Sequence, residues 1–256
     1  MIELQHVGKV YQTDTASTCA VGNVSLSIAS GEFVSLVGPS GCGKSTLLNL
    51  IAGFLAPSSG GIEVDGQPVA GQIHPELGYI FQKDTLLPWF TVHRNVALGL
   101  RFRSYPEERI RHRVAELLEM GHLSEFANAY PHQLSGGMRR RVALLMSLAV
   151  EPRILLMDEP FGALDTHTKT HLHRELIEIW RKLGQTVVLV THDLDEAITL
   201  SSRVVVLSSP PSTVLLDERI DIPHPRDVFS LRESEQFLRH YRSIWSVLGQ
   251  QFKAAA

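Results

Sequence analysis

Short apolar segments alternate with segments of helical period along most of the chain. Eight segments have the apolar or alternating pattern of β-strands: 2–7, 24–28, 32–37, 62–64, 78–81, 154–157, 187–190 and 204–207. A polar loop is expected between the first two, and a tight turn at Asp65-Gly66 after the fourth. Two of the later segments, 154–157 and 187–190, have the composition of central parallel strands.

Helical patterns occupy about 92–150, 166–183 and 193–201. In the first region, Pro106 followed by two glutamates predicts a helix start, and that helix continues through Met120. Because this long helical stretch interrupts the strands, the pattern predicts an α/β core with a helical insertion.

The final segment, from about residue 217, has a different character. It contains Pro223-His224-Pro225 and then a predicted helix from Leu231. One face of that helix carries five apolar residues: Leu231, Leu238, Tyr241, Trp245 and Leu248. We expect this face to pack on the body of the protein, and a partner-binding face is the alternative.

A glycine-rich segment carries the clearest chemical signal. It has the spacing G-x-x-x-x-G-K-S of a phosphate-binding P-loop, and it lies between a predicted strand and a helical run. The glycines allow a tight turn whose N–H groups point at one anion, and the helix N-terminus adds partial positive charge. We expect Lys44 to contact the β- and γ-phosphates and Ser45 to bind Mg²⁺. The predicted phosphate-binding residues are Gly38, Pro39, Ser40, Gly41, Cys42, Gly43, Lys44, Ser45 and Thr46.

Two carboxylates follow the apolar strand at 154–157. In a doubly wound sheet they lie at the carboxyl edge, beside the P-loop. Asp158 is expected to hold Mg²⁺ through water, and Glu159 to polarise the attacking water.

The segment Leu134–Met138 is a second candidate for phosphate binding. Ser135 suits a helix N-cap, and Gly136 and Gly137 let the backbone approach an anion. A plain capped helix start explains the same residues equally well.

Three single residues follow predicted strands. His192 is placed to contact a γ-phosphate, and the Gln82 amide to bind Mg²⁺ or orient water. Tyr11 is placed to stack on adenine, although an ordinary half-buried tyrosine fits the same pattern.

Composition narrows the class of protein. The chain has 256 residues, enough for one large domain or one domain with a lobe, and its net charge of −3 gives no reason to expect nucleic acid as a partner. The two cysteines, Cys19 and Cys42, form no disulfide framework and argue for a reducing cytosol. We expect no signal peptide, and the longest apolar run is too short to span a membrane, so any membrane role is expected to be peripheral.

These segments together resemble the ATP-binding cassette family, specifically the nucleotide-binding subunit of ABC transporters. The likeness covers about residues 1–216, with the motifs in the family's order. The similar segments are Tyr11 (A-loop), Gly38–Ser45 (Walker A), Gln82 (Q-loop), Leu134–Met138 (signature), Ile154–Asp158 (Walker B), Glu159 (catalytic glutamate), Ala163-Leu164-Asp165 (D-loop) and His192 (switch histidine).

The resemblance implies a P-loop NTPase core with a mainly parallel sheet, an N-terminal antiparallel β subdomain and an inserted α-helical subdomain. The ATPase domain would span 1–216, with the insertion at about 92–150, and 217–256 would be a C-terminal extension with one amphipathic helix. ATP and Mg²⁺ would be the cofactors. The implied catalytic residues are Glu159, His192 and Gln82. The implied metal ligands are Ser45, Gln82 and Asp158. Further nucleotide contacts would come from Ser135, Gly136, Gly137 and Asp165.

The same resemblance implies how the protein would work. Two cassettes, expected to be identical, would pair head to tail around two ATP molecules, and hydrolysis would let the dimer open. Transmembrane permease subunits would use this closing, with a periplasmic solute-binding protein as an indirect partner. The subunit would then lie on the cytoplasmic face of a bacterial inner membrane.

A narrower resemblance concerns the direction of transport. The segments 82–89, 161–165 and 207–210 look like those of bacterial nitrate, sulfonate and taurine importers. Two residues depart from the wider family: Met138 replaces a glutamine in the signature, and Met146 stands where relatives often carry arginine. We expect phosphate contact to survive the first change, and local salt bridging to be altered by the second.

An apolar cluster follows the Q-loop position and contains Leu86, Leu87, Trp89 and Phe90. We expect it to help bind a short cytoplasmic helix of the membrane subunit. Internal packing is the equally weighted alternative.

Other interpretations compete with the leading one. A soluble ABC ATPase acting on DNA or ribosomes is the principal alternative, but the chain has one cassette, no heptad run and only an isolated basic run at Arg139-Arg140-Arg141. A GTPase lacks support because no Asn-Lys-x-Asp sequence is present, and a small-molecule kinase would not need Leu134–Met138. Glu159 and His192 argue against an inactive regulatory module. The metal-like spacing of His167, His171 and His173 more often reflects exposed helical histidines.

Overall fold

The computed structural model describes residues 1–13, 16–69, 71–83, 85–162, 164–224 and 226–254. The strands within these ranges are β1 (Ile2–Gln12), β2 (Ser17–Ile28), β3 (Phe33–Val37), β4 (Ser59–Val64), β5 (Gln67–Pro68), β6 (Leu77–Ile80), β7 (Ile154–Asp158), β8 (Thr186–Val190), β9 (Arg203–Leu207) and β10 (Ser212–Arg219). The helices are α1 (Lys44–Ile51), α2 (Val92–Phe102), α3 (Glu107–Met120), α4 (Gly136–Leu148), α5 (Thr166–Leu183), α6 (Leu194–Leu200) and α7 (Glu235–Ala254).

One mixed sheet organises the molecule, with the strand order β5-β4-β1-β2-β10-β9-β3-β8-β7-β6. The five strands from β9 to β6 are mutually parallel, and β3, β7 and β8 are buried along their whole length. Burial on both faces explains why these strands are continuous apolar runs. The predicted α/β class with a mainly parallel core is confirmed.

An antiparallel unit forms the other half of the sheet. β1 pairs with both β2 and β4, and Asp65 and Gly66, each with positive φ, make the predicted turn into β5. The predicted polar loop between 7 and 24 is wrong. β1 continues to Gln12 and β2 begins at Ser17, with Tyr11 opposite Thr18. Polar residues suit this hairpin because most of its distal part is exposed, as an antiparallel strand allows.

Strand β10 joins the two halves and has no counterpart among the predicted segments. It pairs antiparallel with β9 and, over Ser212 and Thr213, parallel with β2. Its burial is partial and irregular, because only part of its surface faces the core. The domain boundary predicted at 216 falls within this strand.

The helical insertion follows β6 in the chain and consists of α2, α3 and α4. Their apolar faces share one buried cluster with β7 and α5, including Val96, Leu117 and Leu145. Met138 and Met146 are partly buried against the same cluster. These helices are the predicted insertion at about 92–150, and its status as a separate subdomain stays a prediction.

The C-terminal helix α7 packs on α6 and β10 through a stripe that includes Phe237, Ile244 and Leu248. The predicted apolar face was partly wrong, because Leu238 and Trp245 are exposed by 37% and 48%. Each lies one position after a buried residue, so it is rotated out of the stripe. Leu231 lies in a short 3₁₀ turn before the helix. Pro225, part of the predicted Pro-His-Pro element, lies outside the described residues.

None of the helices in the described part of the chain has the length and hydropathy needed to cross a membrane.

Candidate functional site

The P-loop connects β3 to α1 and takes its shape from two glycines. Gly41 and Gly43 have φ values of 75° and 99°, in the left-handed region that glycine adopts without cost. A Cβ added at Gly43 would lie 2.7 Å from the carbonyl oxygen of Ala20. The loop therefore requires glycine at this position for both backbone conformation and space.

Lys44 is the first residue of α1 and is almost fully buried. Its ammonium donates to the carbonyl oxygens of Gly38 and Pro39, at 2.8 and 2.9 Å. Burial raises the pKa of the neighbouring Cys42 thiol, whereas Cys19 is exposed on β2. Ser40 and Gly41 are exposed at the tip of the loop. The charge of Lys44 is thus held inside the loop by the loop's own backbone.

Ser45 connects the P-loop to the end of β7. Its hydroxyl donates to the Asp158 carboxylate at 2.9 Å. Burial raises the pKa of Asp158, although the Ser45 hydrogen bond and the charge of Lys44 oppose this effect. Sequence elements more than 110 residues apart therefore meet where the sheet topology predicts.

Tyr11, near the end of β1, lies beside the first turn of α1. Its hydroxyl lies 3.4 Å from the Thr46 hydroxyl, and the residue is 40% exposed. The structure thus brings the predicted adenine-stacking residue next to the last predicted phosphate-binding residue.

Glu159 is the centre of the predicted catalytic group. The Gln82 amide donates to Glu159 Oε2 at 3.1 Å, and His192 Nδ1 lies 3.3 Å from the same oxygen. Glu159 has a φ of 43°, and its N–H donates to the carbonyl oxygen of Val190 at 2.9 Å. Two residues from separate loops, Gln82 and His192, therefore converge on one carboxylate oxygen of Glu159.

The predicted metal ligands suit Mg²⁺ in their chemistry. Ser45 and Asp158 supply a hydroxyl and a carboxylate, and Gln82 supplies an amide oxygen, all of which are hard donors. The Ser45–Asp158 distance of 2.9 Å is close to the spacing of adjacent ligands around an octahedral ion with bonds of about 2.0–2.1 Å. The residues present therefore fit the ion.

The signature residues lie elsewhere. Ser135 caps α4 by accepting from Met138 N–H at 3.2 Å. A Cβ at Gly137 would lie 2.5 Å from Thr168 of α5, and one at Gly136 would approach Leu164. Across the described residues, no hydrogen bond or ion pair joins Ser135, Gly136 or Gly137 to the P-loop.

Asp165 is the last residue of the predicted D-loop and caps α5. Its carboxylate accepts from Thr168 N–H at 3.0 Å, and hydrogen bonds from the side chain and backbone of Thr168 hold the pKa of Asp165 below its usual value. Ala163, the first D-loop residue, lies outside the described residues.

Two basic residues contact the site without a role assigned from sequence. Arg140 of α4 donates to the carbonyl oxygens of Gln82 and Pro160, and to that of Phe81 at 2.9 Å. Lys169 of α5 is bound to the acidic groups that follow His192. Arg140 belongs to the basic run Arg139-Arg140-Arg141, but the sequence alone assigns it no contact with the site. No local sequence signal distinguishes Lys169.

The three spaced histidines do not form a cluster. His167 and His171 pair through their Nε2 atoms at 3.3 Å, whereas His173 is buried against Phe161. Within the ranges that the structure covers, no group of three or more His, Cys, Asp or Glu side chains is arranged to hold a metal ion.

A P-loop after one strand of a parallel sheet, with an Asp–Glu pair at the end of a second strand two positions away, defines a P-loop nucleoside triphosphatase. Residues 21–162 match the family model described as ABC transporter. The nitrate import ATP-binding protein NrtD of Synechocystis sp. is 41% identical, over 96% of this chain and 94% of its own length. The taurine import ATP-binding protein TauB of Burkholderia pseudomallei is also 41% identical, over 91% of each chain.

A solved structure is similar over most of the fold. The dimeric post-hydrolysis structure of the ATP-binding cassette MJ0796, bound to ADP and Pi, superposes with a TM-score of 0.77 at 36% identity. The match covers 87% of this chain and 100% of that one. The chain belongs to the ABC transporter family and is an ATP-binding cassette ATPase.

Proposed function

We propose that this chain is the ATP-hydrolysing subunit of a bacterial importer for a small anion such as nitrate, sulfonate or taurine. The observation that carries the proposal is the near full-length similarity to nitrate and taurine import ATP-binding proteins. The convergence of Gln82 and His192 on Glu159 supports an active, not a regulatory, cassette.

Nucleotide binding would use the N-terminal end of α1 and the residues around it. Tyr11 would stack on the adenine, and the P-loop N–H groups and Lys44 would receive the phosphates. Ser45 and Asp158 would hold Mg²⁺, with Gln82 as a further ligand, and the ion would neutralise charge on the β- and γ-phosphates. Lys44 needs only to exchange its carbonyl partners for phosphate oxygens.

Hydrolysis would depend on Glu159. Its carboxylate would accept a hydrogen bond from the attacking water, and Gln82 and His192 hold that carboxylate in place. His192 has a largely exposed ring, so it is free to contact the γ-phosphate from the same position.

A second copy would complete each site. Ser135, Gly136 and Gly137 lie beside the D-loop and away from their own P-loop, so these residues are available to the nucleotide of a partner subunit. The head-to-tail pairing of two copies around ATP would then be broken by hydrolysis. The dimeric structures of MJ0796 support this arrangement.

Permease subunits would turn dimer closure into transport, with this chain peripheral on the cytoplasmic face of the inner membrane and a periplasmic solute-binding protein as an indirect partner. In the apolar cluster after Gln82, Trp89 is 65% exposed and Leu86 is buried. Trp89 is thus the cluster residue best placed to contact a permease helix.

Glu159→Gln tests the catalytic part of the proposal. The amide keeps the shape but cannot act as a base, so we expect the hydrolysis rate to fall by about 10²–10⁴ while ATP still binds. Solution scattering should then show an ATP-dependent dimer. Undiminished turnover, or a strict monomer with ATP bound, would contradict the mechanism.

Uptake tests the transport part. In the organism that carries this gene, a deletion strain should lose uptake of labelled nitrate or taurine, and the wild-type gene, but not one encoding Glu159→Gln, should restore it. Normal uptake of both anions in the deletion strain would contradict the proposed cargo. It would leave the ATPase assignment intact.

A further inference from the structure

Lys169 lies on the first turn of α5, one helical turn after Asp165. Its ammonium is 3.0 Å from Glu196 Oε1 and 3.4 Å from Asp193 Oδ2. The Lys169 and Glu196 side chains are exposed by only 19% and 3%, so solvent screens their ion pair weakly. One partly buried cation thus binds two carboxylates, those of Asp193 and Glu196, in the segment that follows His192.

Asp193 directly follows His192 in the chain. Its other oxygen, Oδ1, accepts from the N–H groups of Asp195 and Glu196, at 2.9 and 3.3 Å, and so caps α6. The position of Asp193 is therefore fixed from two sides, by the start of α6 and by Lys169 on α5.

Thr191 directly precedes His192 and belongs to the same network. Its hydroxyl donates to Glu196 Oε2 at 2.6 Å and accepts from Asp193 N–H at 3.1 Å. Its own N–H donates to the carbonyl oxygen of Leu36 at 3.2 Å. The backbone on both sides of His192 is thus held, while the His192 ring is free of this network and reaches Glu159.

We propose that Lys169 is a positioning residue for His192: it fixes the loop that carries the histidine through Asp193 and Glu196. This inference rests on the role proposed above for His192 in hydrolysis. Lys169 itself contacts no predicted nucleotide-binding residue through its side chain among the described residues. Its loss should therefore affect the hydrolysis step and not ATP binding.

Lys169→Met removes the charge and keeps most of the side-chain length. We expect kcat to fall roughly tenfold or more, because loss of positioning costs rate, while KM for ATP stays within about twofold. Lys169→Arg should restore most of the activity, since a guanidinium can bind both carboxylates. A merely stabilising residue would lower the unfolding temperature without this separation of kcat from KM.

A double-mutant cycle with His192→Ala identifies the target of Lys169. If Lys169 acts through His192, Lys169→Met should cause no further fall in kcat in the His192→Ala background. Asp193→Asn provides a second variant that keeps an oxygen to cap α6 but loses the charge that Lys169 binds. It should reproduce the fall in kcat, and it decides the question if Lys169→Met does not fold.

Glu175→Gln is the matched control. Glu175 also lies on α5 and forms a 2.9 Å ion pair with Arg141 at similar exposure, but it joins α5 to α4. Its kcat should match the wild type. A low kcat in His192→Ala with a normal kcat in Lys169→Met and Asp193→Asn would overturn this inference alone. A normal kcat in His192→Ala would overturn both the role of His192 and the inference.

Discussion

His173 shows how burial governs a single ionisable group. It lies 4.7 Å from the Phe161 ring, is almost fully buried, and its Nε2 has no hydrogen-bond partner. Burial lowers its pKa to about 4, although Glu196 is 3.9 Å away. The Glu196 charge is already paired with Lys169 at 3.0 Å, so it does little to favour an imidazolium.

This pKa predicts acid sensitivity. Between pH 6.5 and about 4 the unfolded chain binds a proton at His173 that the folded chain does not. The free energy of unfolding should therefore fall as the pH falls through this window, with this group contributing up to about 1.4 kcal/mol per pH unit. Urea titrations at several pH values measure the slope.

His173→Phe removes the titrating ring without breaking a hydrogen bond, so it should flatten that slope. An unchanged slope in the variant would contradict the assignment. At pH 7.5 the free energies of unfolding of the wild type and His173→Phe should differ only through packing.

The sequence predicts the individual site residues well where a motif has fixed spacing. Gly38 to Ser45 and Asp158-Glu159 could be placed because chemistry and local structure impose the same pattern. Lys169 and Glu196 could not be placed in this way. Their contact depends on how α5 packs on α6, and a lysine on a helix has no distinguishing local pattern.

Helix α6 illustrates the same limit at the level of elements. Its C-terminal carbonyls bond to Arg226, a residue after the last strand. The guanidinium donates to the carbonyl oxygens of Ile198, Thr199 and Ser201, at 2.7–3.0 Å. Burial lowers the pKa of Arg226 to about 10. The final segment thus satisfies groups that a helix end leaves without partners.

Arg226→Met should destabilise the protein by about 3 kcal/mol, because several buried carbonyls would lose their donor. The unfolding free energy from urea denaturation measures this loss. Arg239→Met is the control, because its ion pair with Asp221 is largely exposed and should contribute at most about 1 kcal/mol. Equal losses in the two variants would contradict the capping role.

Elements with a regular local pattern of apolar residues could be predicted from the sequence. Elements stabilised by partners distant along the chain could not. The helix from Glu107 to Met120 has a helical period, and the buried strand at 187–190 is a continuous apolar run. The distal part of the β1–β2 hairpin, by contrast, is largely polar and exists because register pairs such as Gln12 with Ser17 continue. β10 depends in the same way on β9.

On the scale of the whole molecule, the site is assembled from both the core and the helical insertion. Arg140 spans this junction. It lies on α4 and donates to the carbonyl oxygen of Phe81, which precedes Gln82, and to that of Pro160, which follows Glu159. A shift of the insertion would therefore be transmitted to Gln82, whose carbonyl oxygen Arg140 also binds. The order of motifs in the sequence predicts the family, but not this connection.

Trp89 provides a prediction for the proposed assembly. Trp89→Ala should weaken copurification with the permease by about tenfold or more, as loss of an interface tryptophan typically costs. ATP binding should be unchanged, because Trp89 is 65% exposed and its removal leaves the core intact. Trp245→Ala is the control, since it removes an exposed tryptophan from α7. Undiminished copurification of Trp89→Ala would contradict the proposed docking role.

The two cysteines give the natural protein a built-in attachment point for a dye. Cys42 is enclosed by the P-loop, whereas Cys19 is open to reagents and adjoins Ala20, whose carbonyl oxygen packs against Gly43. A maleimide fluorophore should therefore attach at one position, within a few residues of the phosphate-binding turn. The fluorescence of this dye can then follow nucleotide titrations in the wild-type chain.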